Sequence, residues 1–160
     1  MISASLVGGT AAVDRLSTIR EAVTSGIARV IAKLGVDLQN SVQQNKLSGQ
    51  VLRLRSGALQ QSITVRFEHS DGEAKATVYS DLDYAAPQEY GFAGTVSVRA
   101  SVRQMKEAFG HPIASRTVSV SSYSRRMDLP QRSFMRSALA DMTDDIANDT
   151  TEALREALSR

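Results

Sequence analysis

Side chains able to bind metals or act as nucleophiles are few in this sequence, and they are scattered along it. There is no cysteine, and the two histidines, His69 and His111, lie far apart with no HxH or HxxxH spacing. The sequence therefore predicts no transition-metal site. Asp81, Asp83 and Glu89 form a loose acidic group, but the first two match no complete calcium-binding loop, and capping of turns or helices explains them better.

Sequence motifs of catalysis are also missing. Gly8-Gly9 is not followed by the Lys-Ser/Thr pair of a phosphate-binding loop. No GxSxG motif occurs, and no serine has an obvious histidine partner. The sequence therefore predicts a protein without enzymatic activity.

Length and composition are typical of one soluble domain. The chain has 160 residues, of which 42% are hydrophobic and only 5% aromatic. This size predicts a single domain over residues 1–160. The first residues lack the features of a signal peptide, and no apolar run approaches the ~20 residues of a membrane span. We therefore expect an intracellular protein that does not contact a membrane.

Charge is unevenly distributed along the chain, although the net charge is only +2. Residues 94–136 contain eight basic and two acidic residues, whereas residues 137–160 contain two basic and six acidic residues. The basic and acidic regions could meet within one chain or between copies. Alternatively, the basic region is a hairpin surrounded by solvent, in which case its charges contribute little to stability.

A long amphipathic helix is predicted over residues 10–46. Apolar residues recur at helical spacing on one face, and they are Leu16, Ile19, Val23, Ile27, Val30, Ile31, Leu34 and Leu38. The phase continues through Gly26 and Gly35, and we expect a bend at Gly35. Such a helix would be about 45–55 Å long, which exceeds the diameter of a domain this small. Part of its apolar stripe is therefore expected to lie against a neighbouring copy.

Alternating apolar residues predict a first β-hairpin over residues 62–80, preceded by a helical turn capped by Ser56. Ile63, Val65 and Phe67 point inward in this hairpin. A second, extended and basic hairpin is predicted over residues 94–126, in which strands 95–102 and 116–123 pair and the insert 103–115 forms the tip. The arginines expected at its outward positions are Arg99, Arg103 and Arg116.

Two further helices complete the predicted fold. Residues 84–92, YAAPQEYGF, indicate a short helix that has Pro87 in its first turn and ends at Gly91. A closing helix is predicted over residues 131–158, with a break near Asn148. Together the elements define an α+β fold. It has a long N-terminal helix, an antiparallel sheet of two hairpins with a short connecting helix, and a C-terminal helix packed on the sheet.

Three short motifs occur in order along the chain. They are RSGALQQSI at residues 55–63, YAAPQEYG at residues 84–91 and RSFMRSAL at residues 132–139. Together they resemble the small neck or tail-completion proteins of tailed bacteriophages and prophages, which act at the head–tail junction. Ser133 stands where that family usually has proline, and Phe92 where a small or hydroxyl residue is common.

This resemblance implies a structural subunit with no cofactor and no catalysis. It implies a homo-oligomer, either a hexameric or a dodecameric ring, beside other neck, connector or tail-terminator proteins. It also implies a place at the head–tail junction of the virion, after assembly in the cytoplasm of the bacterial host. The motif residues with an implied structural role are Arg55, Ser56, Gly57, Tyr84, Glu89, Gly91, Arg132 and Phe134.

Among the motif residues, Glu89 is the one for which a specific partner is predicted. We expect its carboxylate to form a partly buried pair with Arg132 or Arg55, because both lie in the other motifs and such a pair would hold the segments together. The alternative is an exposed glutamate with little effect on stability.

The basic hairpin has two alternative roles, as a protein interface or as a nucleic-acid-binding surface that contacts packaged DNA. Its aromatic residues are only Phe109 and Tyr123, so the platforms typical of single-strand binding are few. The candidate interface residues are Arg99, Arg103, Lys106, Arg116, Arg125 and Arg126.

Overall fold

The longest element of the fold is helix α1, Gly9–Asn40, which continues into a wider π-helical segment, Ser41–Gln50. It belongs to a computed structural model that describes residues 9–52, 57–70, 72–108 and 110–159. Helix α1 has 32 residues, and at 1.5 Å per residue it is about 48 Å long. The π-helical segment includes Gly49 with φ of 134°.

The first hairpin packs on α1 at Gly35. Helix α2, Ala58–Ser62, leads into strands β1, Thr64–Ser70, and β2, Glu73–Tyr79, which pair in antiparallel register. A Cβ atom on Gly35 would lie 2.7 Å from the Ala76 Cβ. The helix is continuous at this glycine, and the missing side chain allows close approach of the hairpin.

The C-terminal region forms helices α4, Phe134–Asp141, and α5, Thr143–Leu158, which are separated at Met142. The predicted break near Asn148 is wrong, because α5 is continuous there. Met142 is buried, and the two helices that it separates contact different elements: α4 packs on the π-helical segment and α5 packs along α1. The C-terminal helix therefore lies on α1 rather than on a sheet.

A small hydrophobic core joins the π-helical segment, the residue between α2 and β1, and α4. Phe134, Ile63 and Val42 are fully buried there, together with Leu47 and Ala138. Burial of a side chain such as Phe134 contributes about 1.5–3 kcal/mol to stability. Because Phe134 is the first residue of α4, this cluster holds the start of that helix in place.

The second hairpin is longer than predicted and has a different register. After helix α3, Ala85–Tyr90, the chain forms four strands: β3 is Phe92–Val98, β4 is Ser101–Ala108, β5 is His111–Val120 and β6 is Tyr123–Leu129. Strand β3 pairs with β6, and β4 pairs with β5. The register is the same on both sides of the gap, so the four strands form one two-stranded ribbon. The predicted pairing of 95–102 with 116–123 is therefore wrong, and most of the predicted insert forms strands.

This register places the valines of the two strands on opposite faces of the ribbon. Val102 lies opposite Ser119, and Arg103 lies opposite Val118. A register that differs by an odd number of residues moves a whole set of side chains to the other face of a strand. Both faces of the ribbon therefore combine apolar and polar residues, so neither face resembles one that packs on the protein's own core.

The mixed α+β class is confirmed, as are the long N-terminal helix, the hairpins and the C-terminal helix. The hairpins form separate two-stranded sheets rather than one sheet in the part of the chain that the structure describes. No helix in the described ranges is both long and apolar enough to cross a membrane.

Candidate functional site: the Glu89 clamp and the basic ribbon

Glu89 is a buried carboxylate that caps a helix distant in sequence. Its residue is only 3% exposed and lies in α3. The Met135 N–H donates to Oε2 at 2.9 Å, while the Arg136 N–H and the Arg136 Nε donate to Oε1 at 3.1 and 3.2 Å. Both N–H groups belong to the first turn of α4, where intrahelical partners are missing and negative charge is favoured.

The main chains of the same two helices are also joined. The N–H groups of Arg132 and Ser133 donate to the carbonyl oxygens of Gln88 and Glu89 at 3.1 Å each. Carbonyl groups near the end of α3 thus accept from the two residues that directly precede α4. We call this arrangement of residues 88–91 on residues 131–136 the Glu89 clamp.

Arg136 completes the clamp from its outer side. Its guanidinium lies over the Tyr90 ring, 5.0 Å from the centroid, and its Nη2 donates to the Ser133 Oγ at 3.1 Å. The side chain is 53% exposed, so solvent weakens its ion pair with Glu89. The described partner of Glu89 is therefore Arg136, and the predicted pairing with Arg132 is wrong, since Arg132 meets α3 through its main-chain N–H. Arg136 lies one helical turn after Arg132, and sequence alone could not distinguish the two.

Glycine at position 91 is required by the clamp. Its φ is 80°, and an added Cβ would lie 3.0 Å from the main-chain nitrogen of Gln131 and from the carbonyl oxygen of Leu129. A side chain would thus disturb both the backbone conformation and the close contact of the two segments. The prediction that Gly91 ends the short helix is confirmed.

The other motif residues have different environments. Phe134 is fully buried in the core, while Tyr84 precedes α3 and is half-exposed. Gly57 adopts a left-handed conformation at the start of α2, with φ of 72°. Arg55 and Ser56 lie outside the described residues. The structure thus brings the second and third motifs together.

The basic residues of the ribbon are exposed and have no ion-pair partner among the described residues; they are Arg99, Arg103, Lys106, Arg116, Arg125 and Arg126. Acidic residues of α4 and α5 instead bind lysines of the N-terminal helical region. Asp149 pairs with Lys33 at 2.8 Å, and Asp141 pairs with Lys46 at 2.6 Å. Within the described part of one chain, the basic and acidic regions do not form ion pairs with each other.

In the described ranges, Lys33 lies in a cleft with Asp37, Asp145 and Asp149. No group of three or more His, Asp or Glu side chains in those ranges is arranged to hold a metal ion. A cleft of about 210 Å³ between α1 and α5 includes Gly26, Ala153 and Ala157 in its lining. The side chains with the most specific geometry are those of the clamp, which joins segments of the fold.

The described residues thus form an α+β fold with a buried capping carboxylate and an exposed basic ribbon. Residues 11–91 match the family model described as "Bacteriophage HK97-gp10, putative tail-component". The match covers half of the chain, and the protein belongs to this family of phage tail components. It is thus a structural component of a phage tail and interacts with other phage structural proteins. Neither the curated proteins nor the solved structures contain a match to this chain.

Proposed function

We propose that this protein is a neck or tail-completion subunit that joins the head connector to the tail by forming or supporting a ring. The observation that carries the proposal is the family match over residues 11–91 together with apolar surface left uncovered by the described chain. A tail component that ends a tube or closes a junction needs contacts on more than one side. The ring is hexameric or dodecameric, and it lies at the head–tail junction of the virion.

Three of the most exposed apolar side chains lie where α1 begins and α5 ends. Leu16 and Leu158 are each 66% exposed, and Val13 is 65% exposed. Monomeric proteins tolerate single exposed apolar residues, but a patch at one end of a long helix is typical of an interaction surface. We assign this patch to contacts with a second copy or with a connector or tail-terminator protein.

The ribbon supplies the second surface in this proposal. Its six basic residues are the candidate contact groups, while the motif residues of the Glu89 clamp act inside the subunit. The protein assembles in the cytoplasm of the bacterial host and needs no cofactor for this role.

Mass measurement tests the ring directly. Light scattering after size-exclusion chromatography should show a defined oligomer whose population grows with concentration. Leu16→Glu should weaken it, whereas Ser17→Glu, an exposed neighbour, should have little effect. A chain that is monomeric at every concentration, and that captures neither purified connector nor purified tail-terminator protein, would contradict the proposal.

A second candidate function is nucleic-acid binding through the ribbon. It is supported by the exposed basic residues of the ribbon, which form none of the ion pairs among the described residues. Binding to phosphates should weaken steeply with salt, by a slope of roughly 0.9 per phosphate contact on a double-logarithmic plot. Arg99→Ala with Arg103→Ala should abolish salt-dependent retention of duplex DNA if this function is correct. Retention that is unchanged in this variant would exclude the ribbon as the DNA-binding surface.

A further inference from the structure

We infer that strands β4 and β5, residues 101–120, form an arm that binds the outer face of α5 in an adjacent copy. The inference rests on the proposed ring and names its subunit contact. In this arrangement each copy donates one arm and accepts one, so the contact is head-to-tail and can close into a ring.

The arm has the surface of a protein-binding element. All of its described side chains are exposed except four half-buried ones, which are Met105, Ile113, Val118 and Val120. Val102 is 70% exposed on the opposite face from Val118. Apolar residues on both faces favour a protein partner over DNA, because a phosphate backbone offers these side chains no apolar surface.

The charge on the arm selects an acidic partner. Arg103 lies opposite Val118, and Arg116 lies opposite Met105, so the two arginines share one face as diagonal neighbours. Diagonal neighbours in an antiparallel pair are about 7–8 Å apart. Neither arginine has an ion-pair partner among the described residues.

Helix α5 presents the complementary surface. Its α1-facing side carries Asp149, which Lys33 already occupies. Asp145 and Glu152 are exposed and take part in none of the described ion pairs, and Asp145 also lies in the cleft that contains Lys33 and Asp149. At seven residues apart they lie on the same edge of the helix, about 10 Å from each other, a separation that two flexible arginine side chains can span.

The same helix also offers apolar contacts to the arm. Leu154 and Leu158 follow one another by a helical turn on the opposite edge of α5, and both are exposed. An arm that lies across α5 can therefore place its valines near these leucines and its arginines near the acidic edge. Matching of both charge and apolar surface points to a second copy of this chain as the partner.

Charge reversal in two separate variants tests the contact. One variant carries Arg103→Glu and Arg116→Glu on the arm, and the other carries Asp145→Arg and Glu152→Arg on α5. Each variant alone brings like charges together, so the protein concentration at half-assembly should rise by about a hundredfold or more. An equimolar mixture should assemble again, because every arm then meets an α5 of opposite charge in an alternating ring.

A charge-matched variant and a folding check serve as controls for this assembly experiment. Arg20→Glu with Lys75→Glu makes the same change in net charge as the arm variant on other exposed surfaces, and it should assemble like the wild type. Circular dichroism should show that all variants are folded. The inference is overturned if either reversed variant assembles normally, or if two folded reversed variants do not assemble when mixed.

Two further results separate this inference from the broader proposals. If the wild-type chain forms no oligomer, the ring itself is wrong, and that result does not depend on any variant. If the arm variant loses salt-dependent DNA retention but assembles normally, the arm binds DNA and the subunit contact proposed here is wrong.

Discussion

Replacement of Glu89 by glutamine is the most informative change to this fold, because it preserves shape while removing charge and one acceptor. Both carboxylate oxygens of Glu89 accept hydrogen bonds from N–H groups at the start of α4. A glutamine amide has only one oxygen, so its NH₂ group must face an N–H donor of Met135 or Arg136. One N–H at a buried helix end then loses its partner.

The expected loss of stability follows from these contacts. A hydrogen bond to a charged group contributes about 1.5–3 kcal/mol, and a carboxylate at a helix N-terminus contributes about 0.3–1 kcal/mol more. The half-exposed Arg136 adds less than about 1 kcal/mol, and the lower desolvation cost of a neutral amide offsets part of the total. We expect Glu89→Gln to reduce the free energy of unfolding by about 2–3 kcal/mol, or Tm by about 4–12 °C.

Thermal and urea unfolding, followed by circular dichroism, measure this difference. Glu73→Gln is the matched control, because Glu73 is exposed and should change stability by less than about 0.5 kcal/mol. Arg136→Ala should have an intermediate effect of about 1 kcal/mol, since it removes the exposed side of the clamp. If Glu89→Gln is as stable as Glu73→Gln, the capping role of the carboxylate is refuted.

Three further predictions concern other parts of the fold. Gly35→Ala should reduce stability by about 1–3 kcal/mol in urea unfolding, because the added Cβ would press against the hairpin. Gly26→Ala should raise stability by up to about 1 kcal/mol, because the nearest atom to its added Cβ is 3.8 Å away. Equal effects of the two changes would contradict the packing described. Ser133 has φ of 32°, so Ser133→Pro should reduce stability by about 3 kcal/mol or more, while Ser133→Asn should be tolerated in the same assay. The hydrogen bond to Asp149, together with its negative charge, raises the pKa of Lys33 above 10.5. The stabilisation should therefore be complete at neutral pH and lost as pH rises through the raised pKa, so the Tm difference between wild type and Lys33→Gln should vanish in alkaline solution.

The family match covers only one side of the Glu89 clamp and neither partner of the proposed subunit contact. The matched residues, 11–91, include residues 88–91 of the clamp and end there. They exclude the ribbon, α4 and α5. Glu89 and Gly91 thus lie within the matched region, while their partners at 131–136 lie outside it. The proposed subunit contact, between the arm and α5, is formed wholly by residues beyond the match.

Local pattern in the sequence determined the elements that depend on neighbouring residues. The apolar stripe of α1 has the period of a helix, so helical geometry alone brings its members to one face. The first hairpin follows from its strict alternation, and Gly91 follows from the requirement for a residue that tolerates positive φ. The long helix, the first hairpin and the end of α3 could therefore be predicted from the sequence alone.

Tertiary structure decided the features that depend on partners far away in the chain. The register of the ribbon could not be read from two valine-rich runs, because either pairing satisfies alternation. The turn near residue 110 and the register shift between Met105 and Glu107 together fix which valines share a face. The identity of Arg136 as the partner of Glu89 depended on how α4 begins. The break at Met142 lies between two helices that pack on different elements. Spacing along a chain sets which residues share an element, but the contact between two elements is set by packing, and packing is a property of the whole fold.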